Sequence, residues 1–135
     1  MPTIIHINTK EIDTVLTLLN AVKAGHRLGL EELEILKCCI NNSMVGLSKL
    51  LHFINPENYA IWDSRIYRYI KGKKSQYGID KAENYNQYLR EIRQISKHQG
   101  YPDLHVIIER HFGYPLTSMR AIEILIFETE RMRKG

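Results

Sequence analysis

Two cysteines are all this chain has, and they stand side by side as Cys38 and Cys39. Neighbours on a helix point about 100° apart. The pair therefore closes no ordinary disulfide and offers no C-x-x-C half-site for structural zinc. Core filler in a reducing compartment is the expectation, and with it a cytoplasmic location. No apolar run reaches transmembrane length, and Met1 to Asn8 carry too few apolar positions for a signal peptide, so no membrane partner is expected. Glycine loops of the Walker or dinucleotide type are missing, as is a nucleophile elbow. The histidines His6, His26, His52, His98, His105 and His111 are scattered and never fall at i, i+4 from one another. These absences argue against a metal enzyme, a nucleotide enzyme and a Ser/His/Asp hydrolase, and no metal or cofactor is expected.

What is present is helical. At 135 residues the chain suits one domain, and 44% hydrophobic with 25% charged residues is the balance of a globular protein. The net charge of +4 permits nucleic-acid contact without demanding it. Apolar positions recur with helical period nearly throughout. Thr9 is placed to cap a helix running to Ala24, with Ile12, Val15, Leu16, Leu19 and Val22 inward and Gly25 ending it. Leu33, Leu36, Cys39 and Ile40 stripe a second helix. Ser43 caps a third, which Asn55-Pro56 stops. Asp63 begins a fourth, running to Lys71 and followed by a loop over 72–78. Tyr85, Tyr88, Leu89, Ile92 and Ile95 form one face of a long helix over 81–98. Pro102 opens the next, Gly113 closes it, and a last helix over 117–133 turns Met119, Ile122, Leu125, Ile126 and Met132 inward. Thr3 to Ile7 is the sole strand candidate, and it is short. The expectation is an all-α fold, one domain over residues 1–135, in a compact bundle of six to seven helices.

Chemistry concentrates in one stretch. Ser48-Lys49-Leu50-Leu51-His52-Phe53-Ile54-Asn55-Pro56 sets a lysine in an apolar helix, and Ala60-Ile61-Trp62-Asp63-Ser64-Arg65-Ile66 sets an aspartate at the start of the next. At 100° per residue Met44, Leu47, Leu51 and Ile54 face the core. Lys49 lies on the far side between Val45 and Phe53, with Ser48 and His52 as the polar flank. A lysine so bracketed in a cleft loses water, and desolvation favours the free amine, a usable nucleophile. A lysine stem lying along apolar surface with its ammonium in water gives the same pattern. Asp63 sits where an N-cap belongs, and a cap aspartate stays ionised.

These residues resemble the helix-hairpin-helix DNA glycosylase superfamily, in particular its 8-oxoguanine glycosylase-like branch. There a helix carries a catalytic lysine, and an apolar segment leads to a catalytic aspartate followed by a pattern such as Asp-x-His-Val-x-Arg. Lys49 matches the lysine, and Ile61-Trp62-Asp63-Ser64-Arg65-Ile66-Tyr67-Arg68 is similar to the second motif, with Arg65 at the histidine position and Arg68 at the arginine position. The form Ser-Lys-x-Leu-His-Phe with Ile-x-Asp-Ser-Arg also looks like small bacterial proteins grouped with that branch. The family's Leu-Pro-Gly-Val-Gly-like hairpin is not present; Gly46 alone falls in that region.

The resemblance implies the helical core of those glycosylases and action on double-stranded DNA as a glycosylase or abasic-site lyase. Lys49 would attack the sugar C1′ of an extruded nucleotide while Asp63 steadies the cationic sugar. His52, Phe53, Tyr59 and Trp62 would be candidates to stack on the base, and Arg65, Arg68, Lys71, Lys73 and Lys74 would meet phosphates. The alternative is a non-catalytic relative, a small basic helical module that binds DNA or protein and in which Lys49 and Asp63 are structural. Oligomeric state is not legible.

Overall fold

Oxygen-bearing side chains at three helix starts explain where the chain breaks. Ser43 Oγ accepts the Gly46 N–H at 3.0 Å, Asp63 Oδ1 accepts the Ile66 N–H at 2.9 Å, and Thr117 Oγ1 accepts the Arg120 N–H at 3.1 Å. Each satisfies a donor that the first helical turn leaves open. At the other ends Gly72 and Gly113 take left-handed φ values of 65° and 78°, which a residue without Cβ adopts freely. Asn41 and Asn42 do the same at φ 53° and 54°, making the tight reversal between the second and third helices.

The computed structural model describes residues 12–72 and 77–134. Among them are seven helices and no strand: α1 (Ile12–Lys23), α2 (Leu30–Cys38), α3 (Met44–Ile54), α4 (Ser64–Lys71), α5 (Ala82–Ser96), α6 (Tyr101–Phe112) and α7 (Ser118–Lys134). The fold is all-α. The Thr9 cap and the Thr3 to Ile7 strand candidate lie outside the described residues. No helix among those described is long and apolar enough to cross a membrane.

α1, α2 and α3 pack on one another, α7 packs against α4, α5 and α6, and α2 against α5 joins the two groups. Between them runs the non-helical stretch 55–63. Trp62, fully buried, is its centre: Tyr67 meets it edge-on at 5.4 Å, Tyr85 at 6.0 Å, and Tyr88 lies tilted against it at 5.0 Å. Leu33, Leu36, Leu47, Leu51, Ile66 and Ile92 are also buried in this core. Aromatic rings dominate the burial because each removes roughly 150–250 Å² from water.

Five positions expected inward are exposed: Ile12, Leu16, Ile95, Leu125 and Met132. Among the described residues α1 packs mainly on α2 and α3, and its buried positions are Val15 and Val22. Ile95 and Leu125 line an open apolar recess of about 310 Å³ with Tyr69 and Ile126, which leaves the expected faces unsealed. Met132, 77% exposed, sits in the last turns of α7.

Candidate functional site

An irregular stretch through a core must find partners for its backbone groups outside any helix ladder. Side chains from three helices, α3, α5 and α7, supply them to residues 58–62. Arg93 Nη2 donates to Asn58 O at 3.0 Å, and His52 Nδ1 donates to Tyr59 O at 2.7 Å. Tyr85 Oη donates to Ala60 O at 2.8 Å. Glu123 Oε2 accepts the Ile61 N–H at 2.9 Å, and Ser48 Oγ accepts the Trp62 N–H at 2.8 Å. The stretch returns the favour through its own side chains. Tyr59 Oη accepts from Leu28 N and donates to His26 O, Asn55 Nδ2 donates to Val22 O, and Trp62 Nε1 donates to Ile79 O.

Met44, Leu47 and Leu51 face the core as the helical wheel of α3 expects, but the buried face extends further than expected. Ser48 and His52, the polar flank, face inward: Ser48 is fully buried and its hydroxyl clips the Trp62 backbone, while His52 holds Tyr59. Lys49 and Phe53 face outward, and Phe53 is 85% exposed. The lysine is therefore not enclosed by Val45 and Phe53. It is an exposed amine with no hydrogen bond or ion pair among the described residues, and no ion pair joins it to Asp63. The physical reason is that unladdered backbone attracts polar side chains more strongly than a wheel of hydrophobicity anticipates.

Asp63, half-buried and fixed by its cap bond, forms one wall of a recess of about 300 Å³. Ile61 and Ile66 flank it, Phe112, Tyr114 and Phe127 give aromatic surface, and Arg120, Glu123 and Glu128 give charge. Lys49 is not among the lining residues. Arg65 adds a cation at the recess, its guanidinium 4.9 Å from the centre of the Phe127 ring. Arg68 and Lys71 lie half-buried on α4, and Lys73 and Lys74 fall outside the described residues. Of the stacking candidates, Phe53 is on the surface and His52 has one ring nitrogen committed to Tyr59. Tyr59 and Trp62 are sealed in the core, with 1% and 0% of their surface exposed, and neither presents a ring to solvent.

Glu123 is the residue that the sequence reading passed over. It is 3% exposed, pairs closely with Arg120 and receives the Ile61 N–H. Burial pushes its carboxyl above the ordinary range, while the Ile61 N–H and Arg120 pull it back. The signal was present: Glu123 interrupts the apolar run Ala121-Ile122-Glu123-Ile124-Leu125-Ile126, and Arg120 precedes it by three residues, one turn away. The result is two fixed carboxyl groups, Asp63 and Glu123, lining one aromatic recess. Such a wall accepts hydrogen bonds and stabilises positive charge. Comparison with known proteins gives no matching family model, curated protein or solved structure.

Proposed function

We propose that this protein acts on damaged double-stranded DNA as a glycosylase-like abasic-site lyase, with Lys49 as the amine nucleophile and Asp63 as the carboxylate that steadies the cationic sugar. The Ser48–Trp62 clip is the observation that carries this reading. It joins the residue before Lys49 to the residue before Asp63, so an exposed lysine and a fixed carboxylate stand on two segments tied at that point. Two further features support it. The recess beside Asp63, at about 300 Å³, lies at the lower edge of small-ligand pockets. Its three aromatic side chains suit a flat ring, and stacking a base on such a side chain is worth about 1–3 kcal/mol.

The chemistry balances without a cofactor. The Lys49 amine adds to the C1′ aldehyde of the open abasic sugar and loses water to give an imine. Loss of a C2′ proton then expels the 3′ phosphate and cuts the strand. On a damaged nucleoside the same amine displaces the base at C1′ while Asp63 offsets the charge that develops on the sugar.

Borohydride reduction fixes the imine as a stable amine, so the test is a trapped protein–DNA adduct on duplexes carrying an abasic site or 8-oxoguanine. The expected result is an adduct with the native chain and none with Lys49→Gln at equal folded concentration. Absence of adduct from folded native protein on both duplexes sinks the proposal. A second reading rests on Lys49 standing outside the recess lining: the exposed amine and the cations of α4 bind DNA phosphates without chemistry. Salt-dependent DNA binding that survives Lys49→Gln, with no adduct, selects it.

A further inference from the structure

A further recess, of about 200 Å³, shares no lining residue with the Asp63 recess and carries the opposite charge. Arg27 reaches it from the loop before α2, Arg93 and Lys97 from the end of α5, and Asn58 and Glu57 from the non-helical stretch. Three cations face one carboxylate, for a formal charge of +2. No carboxylate lies within ion-pairing distance of Arg27, Arg93 or Lys97 among the described residues. Glu32, carried on α2 near this loop, is already engaged by His26 and the Gly29 N–H.

The Arg93 guanidinium is pinned by its bond to Asn58 O, yet its Nε–H is buried with no partner. A buried unpaired donor on a cation is costly. Burial, and after it the charge of Arg27 sharing the recess, makes Arg93 less basic than an ordinary arginine. Cations near a helix C-terminus are stabilised by its dipole, which accounts for Arg93 and Lys97 on α5. It does not account for Arg27, which comes from a different element and adds to the same charge.

We propose that the Arg27–Arg93–Lys97 recess binds a terminal phosphate monoester. A dianion matches the net charge, and guanidinium forks match phosphate oxygens. The recess is walled by four segments of the chain, so a phosphate at the end of a ligand reaches in, whereas an internal phosphodiester would have to carry its chain in and out on both sides. The site stands apart from the Asp63 recess and does not rest on the reading given to it.

Calorimetric titration of the full chain with inorganic phosphate, and with adenosine 5′-monophosphate, tests the site directly. Expected is saturable binding that weakens about tenfold in Arg27→Gln and in Lys97→Gln, the scale of one charged hydrogen bond. Arg110→Gln, a cation on α6 away from the recess, should leave it unchanged. No binding at millimolar phosphate, or equal weakening in Arg110→Gln, overturns the proposal. Competition then separates the sources of the phosphate. Displacement by a 5′-phosphorylated oligonucleotide but not its 5′-hydroxyl twin assigns a nucleic-acid end. Displacement by the mononucleotide alone assigns a small ester. Displacement by the 5′-hydroxyl strand contradicts a terminal monoester. Because Arg93 also holds Asn58, the substitutions at Arg27 and Lys97, which make no such bond, keep the outcome independent of folding.

Discussion

The two recesses treat charge in opposite ways. Around Asp63 each buried or half-buried charge has a partner inside the protein: Asp63 takes the Ile66 N–H, and Glu123 takes both Arg120 and the Ile61 N–H. Around Arg93 three cations gather, and the Nε–H of one of them is left buried and unmet. The first arrangement is tied into the core through Ile61 and Trp62, so its charges hold the fold as well as face the recess. At the second, Arg93 alone of the three cations is tied to the non-helical stretch, by its bond to Asn58 O. Substitutions should therefore damage stability at the first recess and spare it at the second.

The sharpest break of that contrast is Glu123→Ala. It strands the Ile61 N–H in a half-buried site and removes the counter-charge of Arg120. An unsatisfied donor costs about 1–3 kcal/mol, and the loss of a partly exposed pair adds to it. Chemical denaturation should show the variant about 2–3 kcal/mol less stable than the native chain; a difference below about 1 kcal/mol would mean that the Ile61 tie contributes little. Ser48→Ala comes next. The Trp62 N–H loses its acceptor in a fully buried site, and about 2 kcal/mol of stability should go with it. The Ser48 hydroxyl also bonds Val45 O at 2.7 Å, within its own helix, and that bond is expendable. Arg27→Gln at the other recess should leave the melting temperature unchanged or slightly raised, since it removes a repulsion and no bond.

Glu123 and Ser48 also mark the limit of what the sequence disclosed. Helix positions followed from period and punctuation: the Ser43 and Asp63 caps stand where their side-chain chemistry puts them, and Gly113 closes α6. The inward placement of Ser48 and His52 on α3 did not follow. A wheel sorts residues by hydrophobicity, and Ser48 and His52 look like a solvent flank on that scale. Their inward turn depends on 58–62 being extended, buried and without a ladder, a tertiary fact that no local pattern carries. The same fact brings Arg93, Tyr85 and Glu123 to one stretch from sequence distances of 35, 25 and 62 residues. Asp63 was legible as a cap and does line a recess. The aromatic wall opposite it comes from α6, its following loop and α7, and nothing near Asp63 in sequence announces it.

The carboxyl groups of Glu123 and Glu32 respond to pH with opposite signs, and this gives the gentlest test of the contrast. Burial raises the Glu123 carboxyl above its ordinary value. A group that holds its proton more tightly when folded adds stability that is complete below its unfolded value and is lost as pH rises through the folded one. Glu32 is the reverse: its bond from the Gly29 N–H, with His26 beside it, lowers the carboxyl, so its contribution is present above the ordinary value and lost as pH falls through the folded one. Glu32 is partly exposed, where water screens the effect, and Glu123 is buried, so Glu123 should set the slope. Glu123→Gln keeps an acceptor for the Ile61 N–H and removes the titration. Upward from the ordinary carboxylate value, the native chain should lose stability relative to Glu123→Gln until the folded value is passed, and the difference should then stay constant. The change should be smaller than either loss above, because the Ile61 N–H and Arg120 already oppose the effect of burial. A stability difference that is flat from pH 4 to pH 7 would show that these two partners cancel burial in full.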